Sequence, residues 1–212
     1  MNTKNITIPP KSDGLAEFIG ILLGDGNIWV QKNGINTNYQ LKIAGDLTED
    51  KDYLLNYVKP LCYSLFSIEP KLQELPKVNE LFVVLYSKNV ISFLDFMGLK
   101  PGHKIKNQIT IPNWIYERES YLKACLRGLI DTDGSIFKMS NQDPKLLRIS
   151  FKNFNTTLLE DTREIFLKLD FHPSKLICND CFFLSRQSEV KRYIQEIGFS
   201  NKKHINRINK FQ

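Results

Sequence analysis

Hydrophobic and polar positions follow the same succession of patterns twice along the chain. Residues 17–28 (EFIGILLGDGNI) and residues 125–136 (CLRGLIDTDGSI) are apolar runs containing glycine, and each closes on Asp-Gly, a polar residue and Ile. The two Asp-Gly steps begin at positions 25 and 133 and therefore lie 108 positions apart. A repeat of about one hundred residues indicates two copies of one structural unit.

Each copy continues with the same predicted elements. The apolar run predicts a helix, an alternating hairpin follows it, and then come a second helix, a second hairpin and a third helix. The third helix ends at a glycine in both copies, Gly98 and Gly198. The predicted hairpin strands are 27–31 with 39–44, 71–75 with 81–86, 135–139 with 146–151 (across a turn at 141–144) and 174–178 with 182–185. The predicted later helices are 49–66, 89–97, 156–169 and 189–197.

This order of elements predicts an α+β fold made of two pseudo-symmetric αββαββα halves. Two hairpins per half indicate one antiparallel four-stranded sheet with helices on a single face. We expect an N-terminal half over residues 13–99, a linker over residues 100–120 and a C-terminal half over residues 121–212.

The first helix of each copy carries small residues at every fourth position. Small side chains at this spacing let two helix backbones approach closely, so we expect these helices to pack on each other and join the halves. The small residues are Ala16, Gly20 and Gly24 in one helix, and Ala124, Gly128 and Thr132 in the other.

Composition and charge exclude several classes of protein. The chain has 212 residues, of which 42% are hydrophobic and 25% charged, so it can bury a core and is not disordered. It lacks an apolar stretch long enough to span a membrane and an apolar N-terminal signal, so we expect an intracellular protein that needs no membrane. The net charge is +6, and residues 97–116 and 197–212 are basic without any acid. Two such segments at matching places predict two symmetric phosphate contacts.

The four cysteines are scattered and favour a reducing compartment rather than a disulfide framework. Cys178 and Cys181 have the spacing of half a zinc site, but no second pair of ligands follows. Asn179-Asp180 between two apolar runs is typical of a hairpin turn, which is the interpretation we prefer.

Asp25 and Asp133 each end a predicted helix. A carboxylate is disfavoured there, because the helix dipole is negative and the last carbonyls are unpaired. Two such helix ends side by side would also repel each other. A divalent cation removes both penalties, so the repeated Asp-Gly step predicts a metal site.

The two motifs, FIGILLGDG at 18–26 and LRGLIDTDG at 126–134, resemble the LAGLIDADG motif. With the repeat order and the basic segments, residues 13–210 resemble a single-chain, two-motif LAGLIDADG homing endonuclease. The resemblance implies two saddle-shaped sheets in the major groove of double-stranded DNA, and a protein that functions as a monomer. It implies site-specific hydrolysis of both strands at a long, non-palindromic target.

The resemblance also implies roles for individual residues. Asp25 and Asp133, with the carbonyls of Gly24 and Thr132, would hold Mg²⁺, and Mn²⁺ or Ca²⁺ could occupy the same sites. A lysine after the last helix of each half would stabilise developing charge. We choose Lys104 and Lys203, with Lys100 and Lys202 as competitors, and all four could instead be phosphate contacts.

Two positions depart from the pattern of the family. Leu23 stands where the second motif has Asp131, and we expect little consequence. After the second strand the first half has Gly45-Asp46, whereas the second has Lys152-Asn153. Some family members carry a polar Gln or Lys here, so we expect the two strands to be cut at unequal rates.

Large or polar residues on the first hairpin of each half are the candidates for reading DNA, since such side chains bond to base edges. They are Trp29, Gln31, Asn38, Gln40, Lys42, Lys138, Ser140, Arg148, Ser150 and Lys152, and Lys106 and Arg207 join them from the basic segments.

Two other functions remain open within the same family. An RNA maturase would assist intron splicing and could lack the acids, and a catalytically silent DNA-binding protein would show a damaged motif. Both Asp25 and Asp133 are present, which favours the nuclease.

Overall fold

The computed structural model describes residues 6–140, 143 and 146–210. Two antiparallel sheets with helices packed on them make up this part of the chain, which confirms the predicted α+β class. The turn expected at 141–144 lies, except for Asp143, outside the described residues.

The first half contains α1 to α5 and one sheet in the strand order β1-β2-β4-β3. Its elements are α1 (Asp13–Gly24), β1 (Gly26–Asn33), β2 (Asn36–Asp46), α2 (Lys51–Tyr53), a π-helical turn (Leu54–Val58), α3 (Lys59–Phe66), β3 (Lys71–Leu75), a 3-10 turn (Pro76–Val78), β4 (Glu80–Leu85), α4 (Lys88–Phe96) and α5 (Lys104–Asn107). The predicted helix 49–66 is therefore one continuous helical stretch with a widened central turn. Pro60 follows that turn and has no N–H for a regular helical bond.

The second half repeats this order after a 3-10 turn (Asn113–Glu117), with a sheet in the order β5-β6-β7. Its elements are α6 (Glu119–Asp133), β5 (Gly134–Lys138), β6 (Leu147–Lys152), α7 (Thr156–Lys168), β7 (Cys181–Leu184), α8 (Gln187–Glu196) and α9 (Lys202–Asn209). The sequence did not predict α5 or α9, which lie in the two basic segments.

The fourth strand expected in the second sheet, at 174–178, is reduced to one bridge between Ile177 and Cys181 and one backbone bond from Ser174 N to Phe183 O at 2.8 Å. At Ser174, side chains form hydrogen bonds with two backbone groups that would otherwise bond to each other in a regular β-ladder. The Ser174 hydroxyl accepts from Phe183 N at 3.1 Å, and Arg163 Nε donates to the Ser174 carbonyl at 2.8 Å. The prediction of four strands was wrong for this half, because local side-chain bonds compete with strand pairing.

The halves are joined by α1 and α6, as the small-residue spacing predicted. A Cβ atom built on Gly20 would lie 3.1 Å from Leu129 N, and one built on Gly128 would lie 2.9 Å from Ile21 N. These distances leave no room for a side chain, so the two backbones touch. Leu15, Ile19 and Leu126 on the same helices are fully buried in the core. None of the described helices is both long and apolar enough to cross a membrane.

Candidate functional site

The backbone contact of α1 and α6 sets their C-terminal ends side by side. Asp25 follows the last residue of α1, and Asp133 is the last residue of α6. A Cβ atom on Gly24 would lie 3.4 Å from a carboxylate oxygen of Asp133 and would overlap the Thr132 side chain. Gly24 is therefore required for the two helix ends to come this close.

Burial and mutual repulsion act on this pair of acids. Burial, with the charge of Asp133 second, raises the pKa of Asp25 to about 7. Burial also raises the pKa of Asp133, although Lys104 and Asn153 oppose that shift. A cation between the helix ends would relieve the penalty, so the donor set of two carboxylates and terminal carbonyls fits a divalent metal.

Lys104 is the basic residue that reaches the end of α1. Its Nζ donates to the carbonyl of Leu23 at 3.0 Å and also to that of Gly24. Burial lowers the pKa of Lys104, and the charges of Asp133 and Asp25 act against this. The ammonium therefore lies on the end of α1, where it bonds to the last carbonyls of that helix. Lys100 is exposed.

The second half presents polar groups beside Asp133. Asn153 Nδ2 donates to Asp133 Oδ2 at 2.7 Å, and Lys152 pairs with Asp180 at 2.9 Å. A cavity of about 400 Å³ opens here, and its lining includes Lys104, Asp133 and Asn153.

The first half has no such groups at the matching positions. Gly26 pairs with Ile43, and Gly134 pairs with Phe151, so the register aligns Ala44 with Lys152 and Gly45 with Asn153. The match of Gly45-Asp46 to Lys152-Asn153 expected from the sequence was therefore wrong by one residue. A Cβ on Gly45 would lie 2.9 Å from the Cβ of Asp50. Asp50 therefore fills the space that a polar side chain takes in the other half.

Asp50 organises the first half around a different network. Its Oδ1 accepts from Lys203 Nζ at 2.9 Å and from Asn201 Nδ2 at 2.8 Å, and its Oδ2 accepts from Asp46 N at 3.1 Å. The pKa of Asp50 is lowered because these bonds outweigh burial. Lys203 is therefore held near Asp25, whose acidity it increases, while its competitor Lys202 pairs with exposed Asp52 at 3.1 Å.

The two basic segments cross between the halves. Asn201, Lys203 and other residues of the C-terminal segment bind the start of the α2 region in the first half. The segment around α5 belongs to the first half, yet Asn155 Nδ2 donates to Ile109 O at 2.7 Å and Thr157 N donates to Gln108 Oε1 at 3.2 Å. Each half therefore completes the surroundings of the other half's acid.

Strand alternation places most of the predicted DNA-reading residues on the face of each sheet opposite the core. Leu41 and Ile43 in β2, and Ile149 and Phe151 in β6, are buried against the helices, so the residues between them point outward. On the outward rows lie Trp29, Gln31, Asn38, Gln40, Lys42, Arg148, Ser150 and Lys152.

Four of the predicted DNA-reading residues are placed differently. Lys138 alternates in step with buried Ile136, and Ser140 lies beyond the end of β5. Lys106 is exposed on α5. Arg207 donates to Glu49 at 3.0 Å and to Ser135 Oγ at 3.1 Å. Gln40, although outward, is only 8% exposed and donates to Tyr86.

Several residues around the site could not be found from the sequence. Asp50 and Asn201 are far apart in the chain, and no spacing marks them as partners. Asp131, at whose position the first motif has Leu23, is fully buried and accepts from Ser200 N at 2.8 Å, so it holds the C-terminal segment in place. Burial raises the pKa of Asp131 to about 8.

No group of three His, Cys, Asp or Glu side chains in the described part of the chain is arranged to hold a metal ion. Cys178 and Cys181 are free thiols at a tight turn, where Cys178 and Asn179 have positive φ angles of 49° and 56°. A magnesium ion commonly uses one or two carboxylates and takes its other ligands from water and substrate phosphates. The Asp25 and Asp133 pair meets that smaller requirement.

The second half of the chain matches a known protein family. Residues 120–198 match the model of the LAGLIDADG-like domain. An uncharacterised protein of Methanocaldococcus jannaschii is 25% identical over 98% of this chain and 74% of its own length. The tRNA-splicing ligase RtcB of Methanopyrus kandleri is 22% identical over 90% of this chain, which spans only 21% of that protein.

Solved structures share the fold of the whole chain. The homing endonuclease I-DmoI in complex with DNA and Mn has a TM-score of 0.61 at 16% identity, over 88% of this chain and 97% of that one. The I-LtrWI LAGLIDADG homing endonuclease bound to target DNA has a TM-score of 0.57 at 15% identity, over 94% and 88%. The chain therefore has the fold of single-chain LAGLIDADG homing endonucleases, which confirms the resemblance seen in its two motifs.

Proposed function

We propose that this protein is a site-specific endonuclease that hydrolyses one phosphodiester bond in each strand of a long, non-palindromic DNA target. The observation that carries the proposal is the meeting of Asp25 and Asp133 at the adjoining ends of α1 and α6, between Lys104 and Lys203. Both acids lie at the junction of two sheets with outward polar rows, which is where a duplex crossing both sheets would present its centre.

Asp25 and Asp133, with the carbonyl groups of Gly24 and Thr132, would hold Mg²⁺ when it is bound. A bound divalent ion lowers the pKa of its water and polarises phosphoryl oxygen. Lys104 contacts the Gly24 carbonyl in the structure, so this ammonium and a metal compete for the same oxygen. Lys104 is long enough to turn from that carbonyl toward a scissile phosphate and neutralise its developing charge.

The two halves supply different surroundings to the two strands. Asn153 orients the Asp133 carboxylate, whereas Ala44 and Gly45 leave Asp25 without an equivalent donor. We infer that the strand served by Asp133 is hydrolysed first. Because both halves lie in one chain, a monomer is sufficient for both cuts.

The test begins with DNA selection, since the target is unknown. A randomised duplex library is bound to the protein in Ca²⁺, and the enriched duplexes are then incubated in Mg²⁺ or in EDTA. We expect metal-dependent double-strand cleavage that Asp133→Asn reduces by more than a hundredfold. Asp95→Asn, an exposed acid on α4, is the matched control and should cleave like wild type. Enrichment of a duplex without cleavage in Mg²⁺ or Mn²⁺ would overturn the endonuclease and leave a DNA-binding protein, whereas enrichment from an RNA library alone would indicate a maturase.

A further inference from the structure

Arg148 occupies the centre of the outward face of the second sheet. It lies on β6, the middle strand, and alternates with the buried residues Ile149 and Phe151. The register pairs it with Phe137 on β5. A central strand of a sheet that enters a groove faces the base edges, whereas the phosphates follow the rims of that groove.

Two aromatic rings hold the Arg148 side chain. Its guanidinium carbon lies 4.9 Å from the ring centre of Phe183, and the Phe183 and Phe137 rings are 6.3 Å apart in an edge-to-face arrangement. Stacking on a ring restricts the long side chain and fixes the direction of its planar fork.

One N–H donor of the held Arg148 guanidinium lacks a hydrogen-bond acceptor. Nε of Arg148 is buried without a hydrogen-bond partner in the described part of the chain. Leaving a buried donor of a charged group unpaired is costly. A preorganised fork with an unpaired donor is the arrangement expected when a ligand supplies the acceptors.

The ligand chemistry follows from the shape of the fork. Two coplanar acceptors at the spacing of guanidinium nitrogens are offered in the major groove by guanine, through O6 and N7. Adenine offers one acceptor and one donor at the same edge, and the donor would face the guanidinium N–H groups. Guanine is therefore the base that Arg148 matches.

The matched position of the first half has a different arrangement. Gln40 pairs with Trp29 on β1 in the same way that Arg148 pairs with Phe137 on β5. However, Gln40 Nε2 already donates to Tyr86 Oη at 2.8 Å. At the matched position of the first half, the Gln40 side chain is therefore buried and its amide already has a hydrogen-bond partner.

We propose that Arg148 is a specificity-determining residue that reads one guanine in the half-site contacted by the second sheet. Phe137 lies four residues along β5 from Asp133, which at about 3.3 Å per residue is about 13 Å. With about 3.4 Å per base pair, the guanine lies about four base pairs from the centre of the target. This inference rests on the proposed DNA-cleaving function.

The test uses the full-length protein and the variant Arg148→Lys, which keeps the positive charge but loses the fork. Duplexes selected by wild type in Ca²⁺ are resynthesised with each of the four base pairs at every position, and binding is measured by fluorescence anisotropy. Arg192→Lys is the matched control, because Arg192 also stacks on a ring, that of Phe171 at 4.0 Å, but bonds to the carbonyls of Leu169 and Asp170. Thermal melting verifies that each variant is folded.

Wild type should lose about 5- to 150-fold in affinity when the guanine about four base pairs from the centre is replaced. Arg148→Lys should reduce that preference to within about threefold and leave every other position unchanged, and Arg192→Lys should retain it. An unchanged guanine preference in Arg148→Lys, or the absence of any guanine preference near that position in wild type, would overturn the inference while leaving DNA binding intact. Failure of wild type to enrich any duplex would instead overturn the proposed function.

Discussion

Arg127 on α6 donates from Nε to Oε2 of Glu17 on α1 at 3.0 Å, and its second nitrogen bonds to the same oxygen at 2.5 Å. The other carboxylate oxygen of Glu17 accepts from Tyr57 at 2.7 Å and from Ser200 at 2.6 Å. Glu17 is 2% exposed, so this ion pair crosses the junction of the two halves inside the protein. In the repeat, Ile19 corresponds to Arg127 and Cys125 corresponds to Glu17, and neither is charged. The ion pair therefore has no counterpart related by the repeat.

Replacing Arg127 with Met should destabilise the protein by about 3–5 kcal/mol, because a buried carboxylate loses its partner. Urea unfolding measures the loss. Lys123→Met is the control, since Lys123 bonds to the more exposed Glu119 and Glu196 and should cost less than about 1 kcal/mol. Equal losses in the two variants would contradict the special role of the crossing pair.

Gly20→Ala should lower the free energy of unfolding by about 1–3 kcal/mol, because the new methyl group meets the α6 backbone near Cys125 and Leu129. Gly14→Ala in the same helix meets only Leu61 at 3.6 Å, an ordinary contact. That control should be neutral or stabilising by up to about 1 kcal/mol through helix propensity. The melting temperatures of the two variants measure the difference. Similar melting temperatures would refute the close approach of the helices.

Lys104→Met should slow cleavage of the selected duplex by about 10²- to 10³-fold, since it removes the cation that bonds to the end of α1 and whose charge acts on Asp133. Lys100→Met should have a much smaller effect, because Lys100 is exposed, whereas Lys104 is bonded to the end of α1. Single-turnover cleavage in Mg²⁺ distinguishes the two lysines. A larger defect in Lys100→Met would assign the role to the competitor.

Cleavage of a supercoiled plasmid carrying the selected target should pass through a nicked intermediate, because Asn153 donates to Asp133, whereas no side-chain amide among the described residues donates to Asp25. Asn153→Ala should reduce the accumulation of nicked circles by slowing the faster strand. Asn56→Ala, an exposed amide on the first half, should leave the time course as in wild type. Simultaneous cutting of both strands by wild type would count against the inferred order.

Stability should fall in acid partly through His204. Burial, assisted by Lys203, lowers the pKa of His204 from 6.5 to about 4. The fold therefore favours the neutral imidazole, and its contribution is complete above pH 6.5 and is lost as the pH falls from 6.5 toward 4. Relative to His204→Phe, wild type should lose up to about 3 kcal/mol across this range in unfolding measurements. A difference between the two proteins that does not change with pH would contradict the buried neutral state.

The sequence was sufficient where a feature depends on neighbours within one helix turn or one hairpin. The small residues at every fourth position of each motif helix, Gly20 in one and Gly128 in the other among them, predicted the contact between the helices. The Asp-Gly steps predicted that Asp25 and Asp133 end their helices. The choice of Lys104 over Lys100 rested on the family resemblance, because the repeat does not fix the position: Lys104 lies six residues after Gly98, whereas Lys203 lies five after Gly198.

The sequence was insufficient where a contact joins distant parts of the chain. Asp50 and Asn201 meet only because the C-terminal segment crosses to the other half. The short polar helix α9 has too few apolar positions to be predicted from periodicity. The missing fourth strand of the second sheet depends on Ser174 and Arg163, whose bonds to nearby backbone no alternation pattern contains.

The crossing of the basic segments restricts how the two halves could be recombined with those of other proteins. A hybrid joined near residue 118 would keep Lys104 and Gln108 from one parent while taking Asp133 and Thr157 from the other. The surroundings of Asp25 and of Asp133 would then come from both parents, even though each sheet remained whole. A hybrid that keeps the surroundings of both acids intact must therefore take each basic segment from the same parent as the half that this segment contacts.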